Sequence, residues 1–233
     1  MNYGHITTSI HREGYKFIGI GLLVSVICLI FCSTLFWALL AITSGITMFF
    51  RNPRRVVPND TNLIVSPVDG TVCNIVYDVP PSELELGEEK RYRISVFLSL
   101  FDVHVNRTPA AGKVKKVIYS PGQFLNASID KSSLFNERNT VVLELNGDSN
   151  NLMSFSQIAG TIARRIVCDI HDGQEIKKGE VFGLIRFGSR SDIWLPIGAI
   201  PQVYVGQTTI SGETILSDIS IKDVQPREGS VIQ

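Results

Sequence analysis

The sequence predicts a mainly β protein: a barrel-sandwich-like antiparallel domain with few short helices, preceded by an N-terminal helical hairpin that crosses or re-enters a membrane. Three observations predict it. Phe17 to Phe50 runs for 34 residues without Asp, Glu, Lys, Arg or His, well beyond the ~20 residues that cross a bilayer. After residue 62, short β-branched runs are separated by turn signals at Asp69-Gly70, Gly112, Pro121-Gly122, Asn146-Gly147, Gly160, Asp172-Gly173 and Gly212, the spacing of an antiparallel sandwich or barrel. No segment beyond that point keeps a 3.6-residue apolar period, so helices there are expected to be few and short.

Taken in order, residues 1–50 form the anchor. A cleavable signal peptide has an apolar core of about 7–15 residues; this run is far longer and ends in Phe49-Phe50-Arg51, so it is expected to stay in the mature protein. Arg12 and Lys16 precede it, and Arg51, Arg54 and Arg55 follow it. The positive-inside rule puts both flanks on the cytoplasmic side, which favours two helices of ~16 residues turning near Ser33-Thr34 over a single tilted span. Residues 51–62, RNPRRVVPNDTN, contain two prolines that disfavour helix and central strand, and read as a linker. Residues 63–233 form the β-rich domain. GTVCNIV (70–76), GKVKKVI (112–118) and GTIARRIV (160–167) share a Gly-then-Val/Ile spacing that turn-then-strand chemistry alone produces. HDGQEIKKGEVFGLI (171–185) is similar to the turns of lipoyl-type barrel-sandwich domains but lacks their carrier lysine motif.

Of the 233 residues, 44 % are hydrophobic and 19 % charged. Removing Arg12, Lys16 and Glu13 with the anchor leaves 20 basic and 21 acidic residues, a near-neutral balance that argues against nucleic acid. Cys28 and Cys32 lie in the apolar run, and Cys73 and Cys168 are too far apart for a CxxC motif. The four histidines, His5, His11, His104 and His171, show no metal-ligand spacing, so no metal is expected. P-loop, GxSxG and dinucleotide patterns are absent.

Tyr92 to Leu100 alternates cleanly, with apolar residues at even positions; beyond it Asp102, His104 and Asn106 take the even positions instead. Either a bulge shifts the register or polar groups extend the inward face into a site. Asp69, in SPVDG, is accounted for by turn chemistry. In IRFGSRSDIWLP, Gly188 gives the backbone freedom for the hydroxyl of Ser189 to approach the carbonyl behind it.

Together the anchor with FFRNPRR (49–55), SPVDG (66–70), FLSLFDVHVNRTP (97–109), FNERN (135–139) and GLIRFGSRSDIWLP (183–196) resemble the phosphatidylserine decarboxylase family in its shorter, membrane-anchored bacterial form. The resemblance covers most of the chain in order. It implies self-cleavage at Gly188-Ser189, giving a large chain 1–188 and a small chain 189–233. The Ser189 hydroxyl attacks the Gly188 carbonyl, and β-elimination from the resulting ester leaves a dehydroalanine that becomes a pyruvoyl cofactor. His104 and Asp69 are the implied base and orienting acid, by the logic of a Ser-His-Asp relay. Longer bacterial forms carry His-x-x-His here; this chain has His104 and then Arg107, which leaves His104 to self-cleavage, decarboxylation or both.

In turnover the resemblance implies that the ketone condenses with the serine headgroup amine and takes up the electrons left as CO2 departs. His104 is then the implied general acid, and Arg107 and Arg190 are candidate partners for the lipid phosphate. The implied partners are phosphatidylserine, membrane lipid and the two chains of one precursor, with a homodimer of processed heterodimers as one assembly the resemblance allows. The basic pairs Arg54-Arg55, Lys115-Lys116 and Arg164-Arg165 are candidate contacts to anionic lipid. The expected location is the cell membrane, with the catalytic domain on its cytoplasmic side. Two alternatives are a decarboxylase of another phosphoserine lipid, such as archaetidylserine, and a non-catalytic membrane-anchored adaptor.

Overall fold

The computed structural model describes residues 8–122, 136–148, 150–160, 165–186 and 189–221. Strand β1 (Ser9–Ile10) leads through one 3-10 turn (Arg12–Gly14) into helices α1 (Tyr15–Phe31) and α2 (Ser33–Phe49), and strand β2 (Arg51–Asn52) follows. The helices break at Cys32, which is extended (φ −159, ψ 109), one residue before the turn expected at Ser33-Thr34. Each helix has 17 residues, about 26 Å at 1.5 Å per residue. They pack closely: a Cβ on Gly21 would collide with Thr43, and Ser25 and Thr43 are buried. Small residues bring such helices together where lipid supplies no hydrophobic drive. Most of the large apolar side chains face outward, Ile30, Phe31 and Trp37 among them.

The hairpin has a closed neck. Strands β1 and β2 pair antiparallel, Ser9 with Asn52 and Ile10 with Arg51, so both flanks emerge on one side. Salt bridges from Arg12 to Asp169 (2.5 Å) and Arg186 to Glu13 (2.6 Å) tie the neck to the β domain. No strand or helix covers residues 53–62.

The domain adds strands β3 (Leu63–Val65), β4 (Gly70–Asp78), β5 (Arg91–Leu98), β6 (Val105–Arg107), β7 (Gly112–Ser120), β8 (Arg138–Leu145) and β9 (Leu152–Ala159). There follow β10 (Ile166–Cys168), β11 (Glu175–Ile176), β12 (Val181–Ile185), β13 (Ser189–Trp194), β14 (Thr208–Thr209) and β15 (Ile215–Asp218). An eight-stranded antiparallel sheet runs β11-β7-β8-β9-β13-β5-β4-β14, beside a three-stranded sheet β10-β12-β6 and the pair β15-β3. The core lies where they meet: Val72, Ile94, Val96, Leu143, Phe155 and Ile193 from the large sheet pack with Ile64, Phe182 and Leu216 from the smaller ones. A second cluster, Leu84, Leu86, Val142, Leu152 and Trp194, covers part of the other face. Leu184 joins Phe49 and Phe50 at the base of α2.

Turn signals coincide with element boundaries. Asn146 (φ 54) and Gly147 (φ 68) both adopt left-handed backbone between β8 and β9, as the Asn-Gly pair of a type I′ turn requires. Gly70 opens β4 at φ 153, where a Cβ would strike the Phe97 carbonyl of the neighbouring strand.

Candidate active site

Strand β13 is the pivot of the site. It sits between β9 and β5, and its first residue, Ser189, stands opposite Ala159 and Leu98. Strand alternation sends Ser189, Ser191 and Ile193 toward the core, and Arg190, Asp192 and Trp194 to the other face. Ser189 is fully buried, and its hydroxyl has no hydrogen-bond partner among the described residues.

His104 reaches the same end of the interior by a different route. Strand β5 ends at Leu98, and a turn forms in which Ser99 N–H donates to the Asp102 carboxylate at 2.7 Å and Asp102 N–H to the Ser99 carbonyl at 3.1 Å. The inverted parity after Leu100 is therefore a change of sheet: the chain leaves the large sheet and re-enters the small one as β6. His104 Nδ1 lies 3.0 Å from the Asp102 carbonyl. A carbonyl only accepts, so Nδ1 carries the proton and Nε2 is the bare acceptor. Nε2 is buried and unpartnered among the described residues. The ring lies 4.2 Å from that of Phe49, centroid to centroid.

The His104 backbone is held from the core side of the large sheet. Asn106 donates from Nδ2 to the His104 carbonyl at 3.1 Å, and Gln157 on β9 donates to Asn106 Oδ1 at 2.8 Å. Gln157 stands opposite Ser191, two residues along from Ser189 on the same face. Burial lowers the His104 pKa to about 4, against a weaker opposing pull from Asp102, so the imidazole is neutral at pH 7. Leaving a buried polar atom without a partner costs ~1–3 kcal/mol. Ser189 Oγ and His104 Nε2 are two of several such atoms among the described residues, one able to give a proton and the other able to take it.

Asp69 is held elsewhere. Arg55 donates to both its carboxylate oxygens at 2.9 and 2.6 Å, and Ser211 N–H to one of them at 2.8 Å. Burial raises its pKa, while the Ser211 amide and Arg55 work to lower it and the Asp102 charge adds to the rise. The Ser-His-Asp relay is thus not assembled as a hydrogen-bonded chain here: the Asp102 carbonyl orients the imidazole, and the linker arginine takes the carboxylate.

The two arginines expected to meet a lipid phosphate are committed inside the protein. Arg107 donates to the carbonyls of Gly179 (2.9 Å) and Pro53 (3.0 Å) and to Asn52 Oδ1 (2.7 Å). Arg190 is 1 % exposed, on the face opposite Ser189, and donates to Asp192 Oδ1 at 2.6 Å and Ser95 Oγ at 2.7 Å. Of the basic pairs, Arg55 is engaged with Asp69 and Lys116 with Glu85. Gly188, Phe135 and Arg164 lie outside the described residues.

Sequence reasoning singled out none of three residues that touch the His104 environment: Phe49 against its ring, Arg51, whose charge also lowers the His104 pKa, and Gln157 behind Asn106. Phe49 and Arg51 lie within FFRNPRR, and their position where the apolar run ends was a usable signal. Gln157 left none, because its role depends on which strands pair.

Fold and site define a class: an antiparallel β enzyme with a buried hydroxyl and a neutral imidazole placed beside the base of an apolar helical hairpin. A family model for phosphatidylserine decarboxylase matches residues 42–217. The phosphatidylserine decarboxylase proenzyme of Nitrobacter winogradskyi is 49 % identical over 214 residues, which cover 92 % of this chain and 86 % of that protein. The chain belongs to the phosphatidylserine decarboxylase family.

Proposed function

We propose that the chain is a precursor that cuts itself at Gly188-Ser189 and then converts phosphatidylserine to phosphatidylethanolamine and CO2. The observation that carries this reading is the pair of unpartnered buried atoms, Ser189 Oγ and His104 Nε2, in a member of this family. His104 Nε2 takes the Ser189 hydroxyl proton as the oxygen attacks the Gly188 carbonyl. The ester forms as the Gly188-Ser189 amide bond breaks. Loss of the Ser189 α-proton then expels the Gly188 carboxylate and leaves dehydroalanine, whose imine tautomer takes up water and releases ammonia to give the ketone. The residue type fits a pyruvoyl group: a serine opening a strand, its hydroxyl already in a closed interior. When formed, that group supplies an electron sink for the carbon losing CO2.

The chain's own residues then exclude water, orient the headgroup and return a proton, the last through the His104 imidazole. Asp69 is the carboxylate near Asp102 that would support an imidazolium once released from Arg55. The hairpin would hold this site at the cell membrane, with the domain and both hairpin flanks on the cytoplasmic side.

Denaturing mass measurement tests the reading. The expected result is two species, residues 1–188 and a 45-residue piece, 189–233, with a carbonyl in place of an amine at the N-terminus of the smaller. Ser189→Ala is expected to leave one inactive chain. An intact chain in an active preparation would overturn the proposal.

A further inference from the structure

A cavity of about 330 Å³ opens between the C-terminal half of α2 and the turn after β5, lined by Ile42, Gly45, Ile46, Met48, Phe49, Arg51, Leu100 and Phe101. Its wall is apolar apart from Arg51. It is continuous with the outward-facing apolar surface of the hairpin, since Ile42, Met48 and Phe101 are themselves exposed. Its inner wall is Phe49, whose ring packs at a 36° tilt against that of His104. Arg51 donates to the Met48 carbonyl at 2.8 Å and the Phe101 carbonyl at 2.6 Å, and no carboxylate pairs with it among the described residues. A guanidinium has five N–H donors, so this cation keeps both charge and donors for a further anion.

We propose that this groove receives one acyl chain of the substrate phospholipid from the bilayer, with Arg51 at its mouth binding the phosphate. The inference rests on the function proposed above and deepens it. An apolar slot rimmed by one unneutralised cation is complementary to an amphiphile with a hydrocarbon tail and an anionic head. The geometry adds direction: a lipid seated here has its tail against α2 and its head beside Phe49 and His104. Arg51 also ties the end of α2 to the turn carrying Leu100 and Phe101, so the groove and the His104 turn are held as one unit. Arg190 is neutralised by Asp192, and Arg107 is not among the residues that line this groove, which leaves the role to Arg51.

The groove offers a clean probe. A Cβ on Gly45 meets no atom within 4 Å, so Gly45→Leu fills the slot without a backbone clash, and leucine favours the helix over glycine. The full-length processed protein is assayed on dioleoyl phosphatidylserine in vesicles and on soluble dihexanoyl phosphatidylserine. For Gly45→Leu the ratio of kcat/KM on the long-chain lipid to that on the short-chain lipid is expected to fall at least tenfold, through KM. Arg51→Gln is expected to lower kcat/KM about tenfold on both lipids, with partial rescue by Arg51→Lys. Ile42→Trp fills the same slot from another wall and replaces Gly45→Leu should that variant fail to fold.

An unchanged ratio in a filled variant, with the wild type active, overturns the groove and leaves the decarboxylase reading standing. Equal losses on both lipids from filling would mark a bystander bilayer lipid in the slot and likewise overturn the substrate assignment. A wild type inactive on both lipids overturns both readings.

Discussion

At the scale of the residue, the site turns on a histidine kept neutral by burial. Because the folded pKa of His104 is about 4 and its ordinary value is 6.5, the unfolded chain takes up this proton first as pH falls. The contribution of His104 to stability is thus fully present above about pH 6.5. It is lost between there and about pH 4, by roughly 3 kcal/mol in all. In the uncut Ser189→Ala protein, denaturant midpoints are expected to drop across that window, and His104→Gln is expected to flatten the drop. The self-cleavage proposed above would use the same neutral imidazole, so its rate is expected to be level near neutrality and to fall as pH is lowered through about 4, read as precursor remaining with time. Asp69→Asn tests the carboxylate. A relay predicts cutting slowed by at least ~10²-fold, whereas a purely structural Asp69 predicts a lower denaturant midpoint with cutting intact. The roles proposed for His104 and Ser189 came from a polar residue breaking an alternation and from a motif. The Arg55 partner of Asp69 was not, because a linker arginine meets a turn carboxylate only once the chain has folded.

Among the elements, β13 and the β4–β5 pairing hold the site. Strand boundaries were legible because Gly, Asn-Gly and Pro-Gly steps carry local conformational demands, and the structure places strand ends at them. The division into sheets was not: β6 is three residues long, and only tertiary pairing with β12 makes it a strand. Gly70 shows how tightly one element is placed. Its φ of 153 and the nearby Phe97 carbonyl exclude a side chain. Gly70→Ala is expected to destabilise the uncut protein by at least ~2 kcal/mol and to slow cutting, since β5 leads directly into the His104 turn. Equilibrium unfolding with a precursor-cutting assay checks both.

Over the whole molecule, the hairpin and the β domain are joined by a two-strand neck, two salt bridges and the Phe49–Phe50 cluster. The hairpin was legible from the length of the apolar run and the basic residues on both sides of it. Its seating on the domain was not, because Glu13 and Arg186 are 173 positions apart. Trp37 is 65 % exposed on α2, and the other tryptophan, Trp194, is buried. In vesicles of lipid brominated on the acyl chains, Trp37 emission is expected to fall by about half relative to unbrominated vesicles; emission unaffected by bromine would place the hairpin outside the hydrocarbon. If the chain cuts itself as proposed above, the central seat of β13 sets the order of events. A cut just before Ser189 leaves the small piece laced into the sheet by β9 on one side and β5 on the other, so it stays without a covalent tether. The uncut precursor refolds as one molecule, but the cut protein, once unravelled, must find its own lost strand in solution, and its recovery will depend on dilution. In the cleavage proposed here, folding comes first and cutting second, and the sequence of steps cannot be run backwards.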